Sequence, residues 1–558
     1  MIRRTVKRIG PAILMFSGLL CGADPTGAVY VGSKVCSGCH VRIYEDYVGT
    51  AMGRSVVAAS QTRELVPVSG SIAVQSGEFH FEVARRGDEL YEDEFQTDAS
   101  GGLIFKRSFK LEYAIGSGTN GITYAIRKGS YLFEAPLSYY QRARSWRLSP
   151  GYENTNAGFS RPMAAACVVC HSGRARAIGG RDGVYGDPPF SEMAIGCENC
   201  HGPGSVHVQQ PGKSNIVNPA KLSAARAEEI CMRCHQAGDT RVYQSGKSDA
   251  DFRPGKPLSD VVAIFKIPLD PTTAAPADLL EHHFSMQLSK CFTGSAGRLR
   301  CLSCHDPHAM PSKKDAAAYF EKKCAACHTV NSCKLPIAQR AQSGQGCIEC
   351  HMPKRDIGFI SHSALTNHRI IARPDEPLPA VAFNQTTPDL TDLIFLNRSS
   401  AGPLSPLVLW QAYGDLAERS PRYQARYLQL LDIVAAQSPG NPLVQAALGR
   451  KALRQGGPEA NRRAVEHLTK ALQLGFTAPT AFEDLADALA AIGKVDEAID
   501  TLKRGIELSP YAPRLHKSLV LQYINAKQYA LAKAEMRHYL ELVPEDAFVR
   551  DLLRKAGG

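Results

Sequence analysis

The pattern of hydrophobic and polar positions changes twice along this chain of 558 residues. Between about residues 65 and 150, apolar and polar residues alternate in segments such as Glu78–Val83 and Ile122–Ile126, with Gly116-Ser117-Gly118 between them. Alternation broken by turn residues predicts several antiparallel strands. From residue 167 to about 375 the pattern indicates only short helices and little conventional core.

Residues 405–548 show a third pattern, of Ala- and Leu-rich amphipathic helices with a fixed period. Leu485 recurs as Leu519 and Pro510 as Pro544, each after the 34 residues that are typical of tetratricopeptide repeats. We count three clear repeats and a degenerate fourth. Such stacks leave a concave groove, so we expect a protein-docking surface, with a structural cap for the preceding region as the alternative.

Seven copies of Cys-x-x-Cys-His precede these repeats. They are Cys36, Cys39 and His40; Cys167, Cys170 and His171; Cys197, Cys200 and His201; Cys231, Cys234 and His235; Cys301, Cys304 and His305; Cys324, Cys327 and His328; and Cys347, Cys350 and His351. The spacing is the attachment signature of haem c, in which two thiols form thioethers and the histidine is the proximal iron ligand. Zinc ribbons and disulfides are weaker alternatives, because neither needs a histidine directly after every pair.

These patterns together predict a multidomain, mainly α protein. Residues 29–375 would form a haem-packed multihaem cytochrome domain with a β-rich insertion at about 65–150, in which porphyrins supply much of the apolar interior. The Pro-rich residues 376–404 are predicted as a linker. Residues 405–548 would form an α-helical solenoid of tetratricopeptide (TPR) repeats.

The N-terminus resembles a cleaved secretory signal peptide over residues 1–23. Four basic residues precede the short apolar run Pro11–Leu20, and cleavage after Ala23 or Ala28 would leave Ala at the −1 position. A lipoprotein attached through Cys21 is the less favoured alternative. With no transmembrane segment expected, we predict a periplasmic or extracellular protein, and a peripheral membrane association stays open.

The charge balance gives no indication of nucleic-acid binding. The formal net charge of +11 falls to +7 (61 − 54) without residues 1–23, which hold four basic and no acidic residues. Seven haems would add about fourteen propionates and shift the net charge to roughly −7. Outside the motifs and the signal peptide only Cys291 and Cys333 remain, and an even remainder in an oxidising compartment favours a disulfide over two separate thiols.

The second axial ligands have to come from elsewhere in the chain. The candidates are His207, His282, His283, His308, His362, His368 and Met52. His308 follows His305 too closely, across Pro307, to reach around the same porphyrin, so we expect it to serve a neighbouring haem. His80 lies in an alternating strand and is better explained as a half-buried strand residue. An iron left without a sixth ligand could bind a substrate.

Several of these segments carry a resemblance to a known family. They are Tyr30–Ser33, Gly116–Gly118, Pro136–Tyr140, Trp146, Ser149–Tyr152, Cys200–Gly204 with His207, Val217–Ala220, Cys304–His308 and Cys350–Arg355. Over most of its length the chain resembles bacterial multihaem c-type cytochromes with C-terminal TPR repeats, whose haem region is related to the cytochromes of hydroxylamine oxidation and nitrite reduction. Relatives often carry a histidine shortly after the Gly-Ser-Gly turn, where this chain has Thr119, Asn120 and Gly121.

The resemblance implies an exported electron carrier, and the repeats would dock a redox partner protein. The alternative is a multihaem oxidoreductase that acts on a small nitrogen or sulfur oxyanion at a five-coordinate haem. A basic and aromatic cluster precedes the second motif and comprises Tyr139, Tyr140, Arg142, Arg144, Arg147 and Tyr152. We expect these residues to pair with propionates or to pack rather than to act on a substrate, and we assign no catalytic residue.

Overall fold

The computed structural model describes residues 27–68, 70–152, 156–212, 215–272, 281–329, 332–336, 346–354, 366–373, 375–399 and 402–557. The predicted signal peptide, Cys21 and the candidate ligand His362 lie outside these residues. In the described part of the chain, no helix has the length and apolarity needed to cross a membrane.

Helices α1 (Ser33–Cys36) and α2 (Val41–Val48) carry the first motif and lead into two antiparallel sheets. The strands are β1 (Val56–Ala58), β2 (Ser71–Ser76), β3 (Phe79–Arg86), β4 (Glu89–Thr97), β5 (Leu103–Leu111), β6 (Tyr113–Ile115), β7 (Gly121–Lys128), β8 (Tyr131–Tyr140) and β9 (Ser145–Leu148). One sheet has the order β2-β3-β4-β5 and the other β1-β6-β7-β8-β9. Their inner faces share one core, which includes Phe81, Leu90, Tyr124 and Phe133. We call this unit the β insertion.

A hairpin joins the second motif to the third. It follows α3 (Ala165–Val168) and consists of β10 (Ser172–Ala177) and β11 (Tyr185–Ala194), paired in antiparallel register from Ser172↔Ala194 to Ala177↔Tyr185. Tyr185 and Phe190 pack into a core with Leu132 of β8. The hairpin is therefore attached to the β insertion along its length.

The region of the remaining motifs consists of short helices: α4 (Glu198–His201), α5 (Ser205–Gln209), α6 (Ala224–His235), α7 (His282–Gln287), α8 (Lys290–Gly294), α9 (Cys301–Cys304), α10 (Ala316–Ala325) and α11 (Cys347–His351). The third to seventh motifs lie on or directly at α4, α6, α9, α10 and α11. A small sheet of β12 (Thr240–Tyr243), β13 (Val262–Lys266) and β14 (Ile394–Phe395) lies among them. Strand β14 belongs to the segment that composition predicts as a linker. Leu393 and Ile394 are buried there, and the Asn397 side chain bonds the backbone of β13, so this part of the segment belongs to a folded core.

The C-terminal region is a series of antiparallel helices: α12 (Pro406–Arg419), α13 (Gln424–Gln437), α14 (Pro442–Gln455), α15 (Pro458–Gln473), α16 (Pro479–Ala491), α17 (Val495–Leu508), α18 (Pro513–Asn525), α19 (Tyr529–Leu542) and α20 (Ala547–Lys555). Ala464, Ala498 and Ala532, at 34-residue spacing, are all buried where paired helices meet. Lys527 adopts a φ of 59°, at the turn where the preceding repeat has Gly493 with a φ of 82°. The repeat geometry therefore overrides the usual preference for glycine at this turn.

The fold is multidomain and helical at its C-terminal end, as the sequence predicts. The description "mainly α" is too narrow, because strands and isolated β-bridges make up 19% of the residues that the structure describes. The first helical pair packs on the small sheet through one core that contains Phe265, Leu393, Trp410 and Tyr413. The repeats therefore continue directly from the region of the motifs.

Candidate haem-binding site

The motifs lie on single turns of helix. The backbone N–H of the motif histidine donates to the carbonyl of the first cysteine from His40 to Cys36 (2.9 Å), His201 to Cys197 (3.0 Å), His305 to Cys301 (2.9 Å) and His328 to Cys324 (2.9 Å). His235 and His351 lie within helices that contain their first cysteines, whereas the His171 N–H donates to Val168 (3.0 Å). Residues i, i+3 and i+4 of a helical turn share one face. Both thiols and the imidazole of a motif are thus presented on one side of the backbone, as attachment to one porphyrin requires.

Thiols of different motifs lie next to one another. The thiols of Cys36 and Cys197, of Cys170 and Cys234, and of Cys231 and Cys301 lie close enough to interact. The Cys36 thiol lowers the pKa of Cys197. The first motif therefore lies beside the third, the second beside the fourth, and the fourth beside the fifth.

The sixth motif lies between the fifth and the seventh. Burial raises the pKa of Cys324 to about 11, and the nearby Cys347 and Cys304 thiols add to the shift. The Cys231 thiol of the fourth motif also lies near Cys200 of the third, where it adds to the rise in pKa that burial causes. All seven motifs thus belong to one connected series of neighbours.

Three histidine pairs connect the motifs in a second way. The rings of His40 and His207 have centres 6.3 Å apart and planes inclined by 14°. His201 and His308 are 6.0 Å apart at 10°, and His305 and His368 are 6.3 Å apart at 28°. In each pair a motif histidine faces a histidine that the sequence offers as a distal ligand.

These separations fit one metal ion between two imidazoles. A metal–nitrogen bond of about 2.0 Å, plus about 1.15 Å from nitrogen to ring centre, places two opposed ring centres roughly 6.3 Å apart. A porphyrin supplies the other four iron ligands, so a haem needs only these two protein groups. In the described residues no group of three or more His, Cys, Asp or Glu side chains is arranged to hold a metal ion by itself.

The backbone orients several of these rings through Nδ1. His201 Nδ1 donates to the Val217 carbonyl (2.8 Å), His207 to Gly212 (3.0 Å), His351 to Ile371 (2.7 Å) and His368 to Thr366 (2.9 Å). A proton fixed on Nδ1 leaves the lone pair on Nε2, which is the arrangement of histidines that bind metals in proteins. Four candidate ligands are therefore held in the binding tautomer.

Of the two adjacent candidates, His282 is the one in contact with a motif histidine. Its ring centre lies 5.0 Å from that of His235 and 4.7 Å from that of His368. Burial lowers the pKa of His282 to about 3 and that of His283 to about 4. Both are neutral near pH 7, and neutral imidazole is the form that binds metals.

Three further histidine and methionine residues have other surroundings. His328, the histidine of the sixth motif, is exposed. Met52, a candidate distal ligand, is half-buried, and its carbonyl accepts a hydrogen bond from the Ser55 hydroxyl (2.7 Å). His80 stacks on Phe95 of the neighbouring strand, with ring centres 5.0 Å apart, which agrees with its interpretation as a strand residue.

Glu198, between the two cysteines of the third motif, joins that motif to the first. Its carboxylate is 2% exposed and accepts from the N–H groups of Val31 (3.0 Å), Gly32 (2.7 Å) and Gly204 (2.7 Å). The Ser33 hydroxyl in turn accepts from the Cys197 N–H (2.8 Å). The roles of Glu198 and Ser33 could not be predicted from the sequence, because no local pattern marks contacts between positions more than 150 residues apart.

The basic and aromatic cluster is divided by the fold. Tyr139, Tyr140 and Tyr152 are buried in the β insertion, where the Tyr140 hydroxyl donates to the Leu148 carbonyl (2.8 Å) and the Tyr152 hydroxyl to the Gly158 carbonyl (2.9 Å). Arg144 is exposed. The tyrosines therefore belong to the core of the insertion and do not line an anion site.

The disulfide expected between Cys291 and Cys333 is not formed, since both side chains are thiols. Cys291 lies near Cys327, whereas Cys333 lies near Cys347. The two thiols thus lie beside different motifs, Cys291 near the sixth and Cys333 near the seventh.

No protein-family model and no curated protein matches the chain. Solved structures that align with it include the APC/C hetero-tetramer Cut9-Hcn1 (22% identity, TM-score 0.25), MamA (21%, 0.24) and a thermophilic TPR protein of Thermus thermophilus (18%, 0.22). Each alignment covers 27% of this chain, and 30%, 80% and 90% of the respective other chain. Less than a third of the Cut9-Hcn1 chain is thus matched.

The 34-residue spacing and the buried small residues of this chain settle its architecture. The C-terminal helices are tetratricopeptide repeats.

Proposed function

We propose that this chain is an exported heptahaem c-type cytochrome, which carries electrons along covalently bound haems and docks a redox partner through its TPR repeats. The observation that carries the proposal is the set of three parallel histidine pairs at the separation of two axial ligands. Bound haem would supply one-electron redox chemistry.

Each pair joins two motifs. His207 follows the third motif and faces His40 of the first, and His308 follows the fifth and faces His201 of the third. His368 follows the seventh motif and faces His305 of the fifth. A segment that binds one haem would thus also supply the sixth ligand to the iron of a neighbouring haem. This arrangement would keep successive haems close together.

The protein surface around the motifs also fits a porphyrin. Val35, Val41 and Ile43, around the first motif, are 45%, 53% and 46% exposed. Helices α8–α11, around the last three motifs, contain no buried residue. Flat apolar macrocycles would cover such side chains and supply the core that this region lacks.

The burial of the Tyr139, Tyr140 and Tyr152 side chains removes half of the cluster that could have bound an oxyanion. Electron transfer is therefore favoured over the oxidoreductase alternative. The exported location rests on the N-terminal sequence pattern, and the redox partner rests on the TPR groove.

Electron paramagnetic resonance of the oxidised protein tests this proposal. We expect low-spin signals from the haems of His40, His201 and His305, and His207→Ala should convert one of them to high spin. His80→Phe, which replaces a residue stacked in a strand, should leave the spectrum unchanged. A high-spin signal in the unaltered protein that nitrite abolishes would favour the oxidoreductase instead.

A further inference from the structure

One edge of the repeat array lies against the β insertion and the β10–β11 hairpin. Three loops form this edge, and one residue of each faces the β insertion or the hairpin: Thr477, Tyr511 and Glu545, which lies near Arg107, follow one another at intervals of 34 positions. Tyr511 packs edge-on against Tyr131 and Phe133 with ring centres 5.2 and 5.6 Å apart. The β insertion is therefore a continuous support for successive repeats.

The ends of two repeat helices are capped from this support. The carbonyl of Leu508, the last residue of α17, accepts from the Tyr131 hydroxyl (2.9 Å) and from the Arg181 guanidinium. The carbonyl of Leu542, at the end of α19, accepts from Arg107 (3.0 Å) and Ser160 (3.2 Å). Terminal helix carbonyls lack partners within the helix and carry partial negative charge, which favours such donors.

The hairpin reaches from this edge to the motifs. At its tip, Arg181 also bonds the Tyr131 hydroxyl (3.0 Å), and the Gly180 carbonyl accepts from Thr477 (3.5 Å). At its base, β10 begins directly after His171 and β11 ends three residues before Cys197. Ten residues of strand span roughly 30 Å.

The base is fixed to the first three motifs. The Tyr47 hydroxyl, next to the first motif, donates to the Ile195 carbonyl (2.8 Å), and the Ser33 N–H donates to Glu192 of β11 (3.0 Å). The Asn199 amide of the third motif donates to the Gly173 carbonyl of β10 (2.9 Å). A displacement of the hairpin tip would therefore strain the hydrogen bonds that hold the base of the hairpin to the motifs.

We propose that the β10–β11 hairpin couples the repeat array to the second and third motifs, so that a protein docked on the array is held at a fixed position relative to them. Loss of the contacts at the tip would then loosen the base of the hairpin. The predicted change in the resonance spectrum rests on the proposed function, because it needs bound haem, whereas the predicted change in hydrogen exchange does not.

Hydrogen exchange of the full-length protein, followed by mass spectrometry, tests this coupling. Arg181→Ala and Tyr131→Phe should speed exchange roughly three- to tenfold both in the hairpin (residues 172–194) and around the third motif (residues 197–212), as expected for a lost hydrogen bond. The control Arg176→Ala removes an exposed arginine whose bonds lie within the hairpin, and it should leave exchange around the third motif unchanged.

Unchanged exchange in residues 79–111 will show that the variants fold. Faster exchange confined to residues 178–184, or an equal effect of the control, would overturn the coupling. In the haem-loaded protein the same two variants should also shift the low-spin g-values of the haem at the third motif. Absence of haem would contradict the proposed function, while the exchange result would still decide the coupling.

Discussion

The buried Glu198 carboxylate offers a sharp test of how the first and third motifs are held together. Its two oxygens accept from three backbone N–H groups at 2.7–3.1 Å, and the side chain is 2% exposed. Glu198→Gln keeps the shape but removes the charge and turns an NH2 group toward at least one N–H donor. One charge-assisted bond, worth about 1.5–3 kcal/mol, is lost, and the remaining ones are weakened.

We therefore expect Glu198→Gln to lower the free energy of unfolding by about 2–4 kcal/mol in urea titrations. Hydrogen exchange should accelerate first in residues 27–40, because the released N–H groups lie just before the first motif. The control is Glu349→Gln, which lies between the two cysteines of the seventh motif but one position later than Glu198 does in the third. Its side chain is exposed, and a change within about 0.5 kcal/mol is expected. Equal effects of the two variants would refute the assigned role of Glu198.

Three further predictions concern other parts of the molecule. Burial lowers the pKa of Lys128 from 10.5 to about 8. Because the unfolded chain binds this proton more tightly, the free energy of unfolding should rise between pH 8 and 10.5, and Lys128→Met should remove that rise and stabilise the protein at pH 7 by about 1–3 kcal/mol. An unchanged pH profile of unfolding would contradict this. Two thiols, Cys291 and Cys333, should react with a thiol reagent in the mature protein unfolded without reductant, whereas a disulfide would give none. His308→Ala should convert the haem of His201 to high spin in the resonance spectrum, and a wholly low-spin spectrum would remove His308 from that site.

Features that repeat locally could be predicted from the sequence. The 34-residue spacing predicted the helix pairs and their buried alanines, since each repeat packs mainly on its neighbours. The alternation of apolar and polar residues likewise predicted the strands of the β insertion. The short spacing between His305 and His308 also predicted that His308 serves a neighbouring motif, and in the structure its ring faces that of His201.

Contacts between distant segments could not be predicted. The Glu198 carboxylate binds N–H groups that lie more than 160 residues earlier, and Arg107 caps a helix that ends at Leu542. The apparent linker contributes β14, because Leu393 and Ile394 find an apolar surface that composition alone does not reveal. In each case a tertiary environment decides the role of a residue whose local sequence is ordinary.

Every haem-related assignment depends on covalent attachment, which the intact mass of the denatured protein will show. Thioether bonds survive denaturation, so seven haems should add about 4.3 kDa, roughly 0.6 kDa each, to the mass of the mature polypeptide. A polypeptide of unmodified mass, purified from cells that attach haem c to other proteins, would contradict covalent haem attachment.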